Sequence, residues 1–316
     1  MRITNTSMMR SQLYDTQQNL SRMNKINEQL NTGKVVNRVS DDPHKAIRIM
    51  NLNNEIKYTE KYNYNIDETV GWLDNTDSSL ENLGNIFSDL KQDILKVGNG
   101  AYGEDEYKAI QAELNEKLKD VASALNTTYA GKYMFGGTNV DEPPMIAEEK
   151  DGVVTLKINP NSNTENLKAD ISDGINLDYN LSVGEIFTGV DANGKKIDYL
   201  QELNNLSSLM NDIVNGTDAE KATAKETLLG DAHKSLDNLA NHTLNERTSF
   251  GVRSSTAEKV KELNDDNILS MKGVLSLDQD VDVVEKFMEL KSSEMVYQAS
   301  LQVGAKLIKP TILDYL

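Results

Sequence analysis

Apolar residues recur every three or four positions near the start of the chain, which is the spacing of one face of an α-helix. The repeat runs through seven positions, five of them apolar: Met9, Leu13, Thr16, Leu20, Met23, Asn27 and Leu30. Polar side chains occupy most of the positions between them. This narrow stripe predicts a helix that needs a partner helix to cover it, and the pattern ends at Gly33.

A second and much longer helix is predicted to begin at Pro43, because Asp42 is a suitable N-cap and proline is favoured at the first helical position. Its apolar stripe reaches Val97, with a break in phase after Leu73. The stripe comprises Ile49, Leu52, Ile56, Thr59, Asn63, Ile66, Val70, Leu73, Leu80, Leu83, Phe87, Leu90, Ile94 and Val97. About 55 helical residues with a rise of ~1.5 Å each would reach roughly 80 Å, so the sequence predicts a rod.

A third helix is predicted to fold back along the second one after a turn between Asn99 and Asp105. Its stripe consists of Tyr107, Ile110, Leu114, Leu118, Val121 and Leu125. From Leu200 to Lys309 the chain contains no proline, which predicts that this tract is also mostly helical.

The carboxy-terminal end of the chain has an apolar stripe like that of the amino-terminal end. A further repeat with the same spacing comprises Val283, Phe287, Leu290, Glu294, Tyr297, Leu301, Gly304 and Ile308. Neither terminal stripe is wide enough to form a core alone. The sequence therefore predicts that the first and last helices pack as an antiparallel pair.

Between the helical tracts, the segment from Gly136 to Lys196 is rich in Gly, Pro, Asn and Asp and contains short β-branched runs. Asp151-Gly152 and Asn193-Gly194 are typical hairpin-turn dipeptides. The predicted fold is therefore mainly α, an elongated rod or coiled coil of the terminal segments with a small β-rich insert. We expect the insert to be replaceable by a linker without loss of the helical core. The predicted segments are 1–42, 43–136, 137–196 (the insert), 197–277 and 278–316.

Composition and charge narrow the possible functions. The chain of 316 residues has 33 Lys and Arg against 50 Asp and Glu, a net charge of −17. Nucleic acid and anionic membranes would be repelled by such a chain. There is no cysteine, which excludes disulfides and thiolate metal sites. No apolar run is long enough for a signal-peptide core or a membrane span, so export would have to use another route.

The sequence contains few candidates for a catalytic, nucleotide-binding or metal-binding site. The three histidines, His44, His233 and His242, do not have the spacing of a helical zinc site, and the phosphate-loop, dinucleotide and nucleophile-elbow motifs are missing. A calcium-loop template is matched by Asp278, Asp280, Asp282 and Glu289, but Val283 stands at the glycine position. Acidic groups at the start of a helix explain this cluster better. We expect no enzyme activity, no cofactor and no metal.

Several blocks of sequence resemble the bacterial flagellins and their relatives at the junction of hook and filament. At the amino-terminal end they are Met1 to Thr4, Thr32-Gly33-Lys34, Ser40 to Pro43, Tyr62 with Asn65 to Asp67, and Gly98 to Gly100. Gly131 to Gly137 resembles the junction proteins more than the flagellins, although Gly136 stands where family members often have alanine. Later blocks are Arg247, Gly251 to Arg253, Tyr297 to Ala299 and Ile312 to Leu316. The resemblance spans about residues 1–137 and 230–316.

The resemblance implies an extracellular structural protein of the flagellum that joins the hook to the flagellin filament and is needed for filament assembly and motility. It implies type III export without a cleaved signal peptide, with an export chaperone bound beforehand. The implied axial partners are the first hook-associated protein, flagellin, and copies of the chain itself in a ring. No nucleic-acid partner and no membrane insertion are expected.

The residues and the resemblance together predict that the terminal stripes form the assembly interface. Head-to-tail contacts between identical subunits build rings or helical tubes, which would bury these stripes. The predicted interface residues are Met9, Leu13, Leu20, Met23, Leu30, Phe287, Tyr297, Leu301, Ile308, Leu313 and Leu316. The alternatives are a flagellin-type filament subunit, a coiled-coil signalling or chaperone-like module, and an enzyme seated in the insert.

Overall fold

The computed structural model describes residues 5–98, 102–190 and 196–307. Its helices are α1 (Asn5–Thr32), α2 (Pro43–Val97), α3 (Glu104–Leu125), α4 (Val183–Phe187), α5 (Tyr199–Asn215), α6 (Asp218–Thr227), α7 (His233–Gln279) and α8 (Val283–Leu307), with a π-helical turn at Leu228–Ala232. The strands are β1 (Thr128–Tyr129), β2 (Lys132–Tyr133), β3 (Met145–Lys150), β4 (Val153–Ile158), β5 (Lys168–Ser172), β6 (Ile175–Asp178), β7 (Thr188–Val190) and β8 (Lys196–Asp198). The predicted fold class, mainly α with a small β-rich part, is confirmed. Within the described ranges, no helix combines the length and apolar character needed to cross a membrane.

The chain divides into two compact units. One, here called the terminal unit, consists of residues 1–60 and 265–316, and the other, the central unit, of residues 61–264. The terminal unit has 14 Lys and Arg and 15 Asp and Glu, a net charge of −1. The central unit has 19 Lys and Arg and 35 Asp and Glu, a net charge of −16. Nearly all the net negative charge of the chain therefore belongs to the central unit.

In the terminal unit, α1 and α8 pack as an antiparallel pair, as predicted. At one end of the pair, the loop after α1 is joined to the loop before α8. The Val281 amide donates to the Gly33 carbonyl at 3.0 Å, and the Val35 amide donates to the Gln279 carbonyl at 2.7 Å. Gly33 has a φ of +68°, a left-handed conformation that glycine adopts without steric cost. The pattern break at this glycine is therefore a helix end that allows the chain to turn.

The predicted start of α2 is confirmed. The Asp42 carboxylate accepts a hydrogen bond from the Lys45 amide at 3.0 Å, and Pro43 occupies the first helical position. A carboxylate at this place satisfies an amide that has no partner within the helix and also interacts favourably with the helix dipole. Of the two residues Asp41 and Asp42, Asp42 is thus the helix cap and Asp41 is the residue before it.

The central unit has a core in which α2, α3 and α5 share buried apolar side chains. On α2, all the predicted positions from Ile66 to Val97 are buried or half-buried. The predicted break in phase after Leu73 is wrong, because Thr76 is fully buried between Leu73 and Leu80 and continues the repeat. Its hydroxyl donates to the Trp72 carbonyl at 2.9 Å, which lets a polar residue occupy a core position. The predicted stripe of α3 is buried throughout.

Polar contacts join α2 to α7 within the central unit. The Arg247 guanidinium contacts both Asp77 and Glu81, with N–O distances of 2.8 Å to each carboxylate, and these carboxylates raise the pKa of Arg247. Further along, the buried Asn264 amide donates to Asn63 at 3.0 Å. Such contacts fix the register of two helices whose shared stripe contains polar residues.

In its described residues, the β-rich part forms four two-stranded antiparallel sheets, each made of strands adjacent in the sequence. Asp151 and Gly152, which connect β3 to β4, have φ values of 53° and 78°. Both central residues of the turn are therefore left-handed, as the dipeptide predicts. Asn193-Gly194 falls between β7 and β8 but lies outside the described residues.

The outer edge of β4 is covered by side chains of α5. The Asn204 amide group binds the main chain of Leu156 in both directions, at 2.7 Å and 2.9 Å, as a neighbouring strand would. The Ser207 hydroxyl accepts a hydrogen bond from the Val154 amide at 2.9 Å and donates to Asn115 on α3. The hairpin is thus bonded to two helices at once.

Seven side chains of the segment 137–196 belong to the same apolar core as the helices. They are Met145, Val154, Leu156, Leu181, Val183, Ile186 and Phe187. The expectation that this segment can be removed without harm to the helical core is therefore not supported by the packing. Side chains at alternate positions of β4 and on the short helix α4 cover apolar surface of the longer helices that would otherwise be exposed to solvent.

Two glycines within α2 make a matched pair for a stability test. A Cβ on Gly84 would meet no atom within 4 Å, whereas a Cβ on Gly71 would lie 2.5 Å from the Tyr129 hydroxyl. Alanine is favoured over glycine in a helix by about 1 kcal/mol. We expect Gly84→Ala to raise the free energy of unfolding by about 0.5–1 kcal/mol, and Gly71→Ala to lower it because the ring of Tyr129 must move. Urea denaturation measures both changes, and equal effects would contradict the packing at Gly71.

Candidate functional site

The contact between α1 and α8 uses polar and small side chains. The Gln12 amide donates to the Ser300 carbonyl at 2.9 Å, and the Asn19 amide donates to the Ser300 hydroxyl at 3.5 Å. On α8, Ser300 and Gly304 are more shielded from solvent than Leu301 and Val303 beside them. Polar and small side chains thus contribute to the pairing of two helices whose buried apolar side chains include Ile26 and Leu290.

The predicted interface residues divide into three groups. Met9, Met23, Leu30 and Tyr297 are half-buried. Leu13, Leu20, Phe287 and Leu301 are exposed. Ile308, Leu313 and Leu316 lie outside the described residues.

Leu13 and Leu301 line the same groove between α1 and α8, and the burial of the terminal stripes on assembly stays a prediction. Leu13 keeps 62% of its surface exposed and Leu301 keeps 49%. Residues one position away, Gln12 and Ser300, make the hydrogen bond between the helices. One residue turns a helix by about 100°, so Leu13 and Leu301 lie beside the hydrogen-bonded residues and line the groove next to them.

The exposed apolar surface is largest on α8. Eight of its large apolar side chains are exposed: Val283, Val284, Phe287, Met288, Met295, Val296, Leu301 and Val303. On α1, four more are exposed, namely Met8, Leu13, Tyr14 and Leu20. So many exposed large apolar side chains make the two helices a candidate interaction site.

A groove of about 250 Å³ lies between α1 and α8, and its lining is almost entirely apolar. Met9 and Leu13 form one wall, and Leu301, Gly304 and Ala305 form the other. The small residues on α8 leave room at this place for the side chains of another helix. The terminal unit thus offers both exposed apolar side chains and a groove that such side chains could enter.

Sequence reasoning missed Gln12, Asn19 and Ser300, which make the hydrogen bonds between α1 and α8. These residues are polar, so a pattern of apolar positions does not include them. Ser293, Tyr297, Ser300 and Gly304 do have the spacing of a helical stripe. Small residues with that spacing could have indicated a close helix contact that does not depend on apolar burial.

The calcium-loop template is engaged in other contacts. Asp278 lies 2.9 Å from Arg48, Asp280 accepts from Ser276, and Glu289 pairs with Lys286. Asp282 accepts hydrogen bonds from the amides of Val284 and Glu285, so it is the N-cap of α8. In the described part of the chain, no group of three or more potential ligands is arranged to hold a metal ion.

The cap at Asp282 can be tested by substitution. Asp282→Ala leaves two amides at the start of α8 without an acceptor, which costs about 1 kcal/mol. Asp282→Asn keeps an acceptor oxygen and should cost less. Circular dichroism during thermal unfolding should show a loss for the alanine variant. Calcium should not change the melting of the unmodified protein, and a calcium-dependent rise would instead support the loop template.

Comparison with known proteins first indicates the general class of protein. Residues 4–140 match the family described as bacterial flagellin N-terminal helical region. The chain therefore carries a flagellin-type amino-terminal region, which covers α1, α2, α3 and the first hairpin. A solved flagellar hook-associated protein from Vibrio parahaemolyticus has the same fold, with a TM-score of 0.62 and 20% identity over 76% of this chain and 99% of that one.

Similarity to individual proteins then distinguishes hook-associated proteins from filament proteins within this class. Flagellar hook-associated protein 3 of Escherichia coli is 22% identical over 291 residues, which is 89% of this chain and 88% of that protein. The flagellar filament 41 kDa core protein of Borreliella burgdorferi is 23% identical over 197 residues, 58% of each chain. The similarity to hook-associated protein 3 includes nearly the whole chain. The resemblance predicted from the sequence blocks, to the junction proteins more than to the flagellins, is thereby confirmed.

Proposed function

We propose that this protein is a structural component of the bacterial flagellum that joins the hook to the flagellin filament. The observation that carries the proposal is the similarity to flagellar hook-associated protein 3 over 89% of the chain. The filament protein matches a smaller part of the chain. A filament subunit is therefore the second candidate.

Assembly through the terminal unit agrees with its surface and its charge. Burial of one large apolar side chain contributes about 1.5–3 kcal/mol, and twelve such side chains are exposed among the described residues of α1 and α8. The net charge of this unit is only −1, so copies can approach one another there with little repulsion. We propose that the partners at this surface are the first hook-associated protein, flagellin, and further copies of this chain in a ring.

The remaining parts of the proposal follow from the same class of protein. The chain acts as an adaptor and not as an enzyme, and it needs no cofactor. It reaches the cell exterior through the flagellar export apparatus without a cleaved signal peptide, after binding an export chaperone. Amino-terminal sequencing of protein taken from detached flagella tests the last point, because an uncleaved product retains Met1 or begins at Arg2.

Localisation separates the two candidates. Immunogold labelling of isolated flagella should place this protein in a short zone at the base of the filament. Gold particles along the whole filament would identify a filament subunit instead. A deletion strain is expected to keep its hooks and to secrete flagellin into the medium without building filaments, and normal filaments in that strain would contradict the proposal.

A further inference from the structure

A groove of about 420 Å³ lies between α2 and α7 in the central unit, away from the residues assigned to assembly. Small residues form much of its lining, namely Ser78 on α2 and Gly251, Ser254 and Ser255 on α7. A Cβ on Gly251 would meet no atom within 4 Å, so the space beside this residue is open. The groove can therefore hold one long side chain from another molecule.

Three carboxylates line the same groove, namely Asp74, Asp77 and Glu258. Asp77 is already bound to Arg247, with an N–O distance of 2.8 Å. Asp74 and Glu258 are exposed and have no ion pair with any residue that the structure describes. Among those residues, no group of three or more potential ligands is arranged to hold a metal ion. Two carboxylates are thus available to a cationic side chain.

The β1–β2 hairpin carries an exposed lysine without an ionic partner. Lys132 follows the two-residue turn Ala130-Gly131, whose φ values are 50° and 80°, and all three residues are exposed. On the same side of the unit, Lys168 lies 3.9 Å from Asp178. Lys132 has no ion pair in the described part of the chain. Its ammonium group is therefore free to bind carboxylates of another molecule.

The lysine and the groove lie on different sides of α2. On the hairpin, the Tyr129 ring meets the Trp72 ring edge-on, with centroids 5.9 Å apart. On α7, Arg247 contacts α2 at Asp77. Successive residues of an α-helix are about 100° apart around its axis, so Trp72 and Asp77 point about 140° apart. One copy therefore presents the lysine to one side and the groove to another.

We propose that neighbouring copies of this chain contact each other through their central units, with Lys132 of one copy bound in the groove of the next. The Lys132 ammonium group binds Asp74 and Glu258, and its methylene groups lie along Gly251 and the serines. This inference rests on the proposed function, which places copies of the chain side by side in a ring. A contact between two different surfaces repeats from copy to copy, as a ring requires.

Charge favours another copy as the occupant of the groove. The central unit has a net charge of −16, so two central units repel each other unless the contact pairs a cation with carboxylates. The proposed contact supplies that pairing, because Lys132 meets two carboxylates that lack a cation of their own. Like charges over the rest of the unit oppose other alignments of the two copies, so charge also selects how they dock.

Site-directed cross-linking tests the contact, because the chain has no cysteine of its own. Ala130→Cys and Ser255→Cys place thiols beside the lysine and in the groove, and they leave every charged residue unchanged. Detached flagella with hooks, from a strain that makes only the double variant, are treated with a short bismaleimide. On an immunoblot of a denaturing gel, we expect a ladder of dimers, trimers and higher oligomers, because each copy is linked to the next.

Two kinds of control define the contact. Each single variant should give no dimer, since identical positions do not meet in a contact between two different surfaces. The pair Ala130→Cys with Ser208→Cys should give no ladder, because Ser208 is an exposed serine of α5 outside the groove. The proposal is overturned if Ala130→Cys with Ser255→Cys gives no ladder, if the control pair gives an equal one, or if a single variant forms dimers.

Charge reversal provides a second test. Lys132→Glu should lower the number of filaments per cell at least about fivefold, because a carboxylate then meets the two in the groove. The groove variant Asp74→Lys with Glu258→Lys should have a similar defect, and all three substitutions combined should restore the filaments. Lys150→Glu is the matched control and should assemble normally, since Lys150 is also an exposed hairpin lysine beside a two-residue turn.

The outcomes of charge reversal separate this contact from the role of the protein. Equal filament numbers in Lys132→Glu and Lys150→Glu would overturn the contact, and so would a lack of recovery when the three substitutions are combined. Circular dichroism checks that the purified variants are folded. Immunogold labelling and the deletion strain test the role at the junction independently, so failure here leaves the proposed function in place.

Discussion

Leu301→Asp is expected to abolish filament assembly while the isolated subunit melts almost as before. Leu301 is half-exposed in the subunit, where surface substitutions usually change the free energy of unfolding by less than about 0.5 kcal/mol. In an assembly that fills the groove between α1 and α8, the same residue would be buried. The cost there is the lost burial of leucine, about 2–3 kcal/mol, with the desolvation of a carboxylate added to it.

The measurement is made in cells that produce only the variant. We expect hooks without filaments, and flagellin in the culture medium. Gln302→Asp is the matched control, because it places the same charge at the next exposed position of α8, which does not line the groove. Filaments should form normally in that strain. Normal filaments with Leu301→Asp, or a sharply lowered melting temperature of its monomer, would show that the terminal helix is part of an internal core.

Replacement of residues 137–196 by a flexible linker is expected to abolish the cooperative unfolding of the central unit. The seven core side chains of this segment contribute about 1.5–3 kcal/mol each when buried. A protein domain has a net stability of only about 5–15 kcal/mol. Removal of the segment also leaves Asn115, Asn204 and Ser207 without their main-chain partners.

Calorimetry of the deletion variant measures this effect, and a sharp transition near that of the unmodified protein would restore the idea of a separable insert. Two point variants of the β3–β4 hairpin provide a milder test. Leu156→Ala removes a buried side chain and should cost about 2–5 kcal/mol. Ile146→Ala changes an exposed side chain on the partner strand and should cost less than about 0.5 kcal/mol.

Helix positions and ends were predictable because they depend on local chemistry. The stripe of α3, the N-cap Asp42 with Pro43, the turn Asp151-Gly152 and the end of α1 near Gly33 all agree with the structure. In each case, neighbouring residues decide the conformation through side-chain capping, the fixed φ of proline or the freedom of glycine. The similarity to hook-associated protein 3 was likewise readable from short blocks at both ends of the chain.

The register of α1 against α8 was not predictable from the apolar repeat. A stripe at Leu13 and Leu20 and a seam at Gln12 and Asn19 differ by one residue on the same helix. The choice between them depends on what the facing helix offers, and α8 offers Ser300 at the contact. Leucines that look like core residues therefore remain available on the surface.

The role of the segment 137–196 also depends on contacts between residues far apart in the sequence. Its Gly, Pro and Asn content correctly indicated turns and short strands, but composition gives no information about which surface those strands cover. The side chains of Asn204 and Ser207 on α5 bind the edge of β4 about 50 positions earlier in the chain. Local sequence thus specified the helices, caps and turns, because each depends on neighbouring residues. The exposed leucines and the shared core arose from tertiary packing, because they depend on residues brought together from distant parts of the chain.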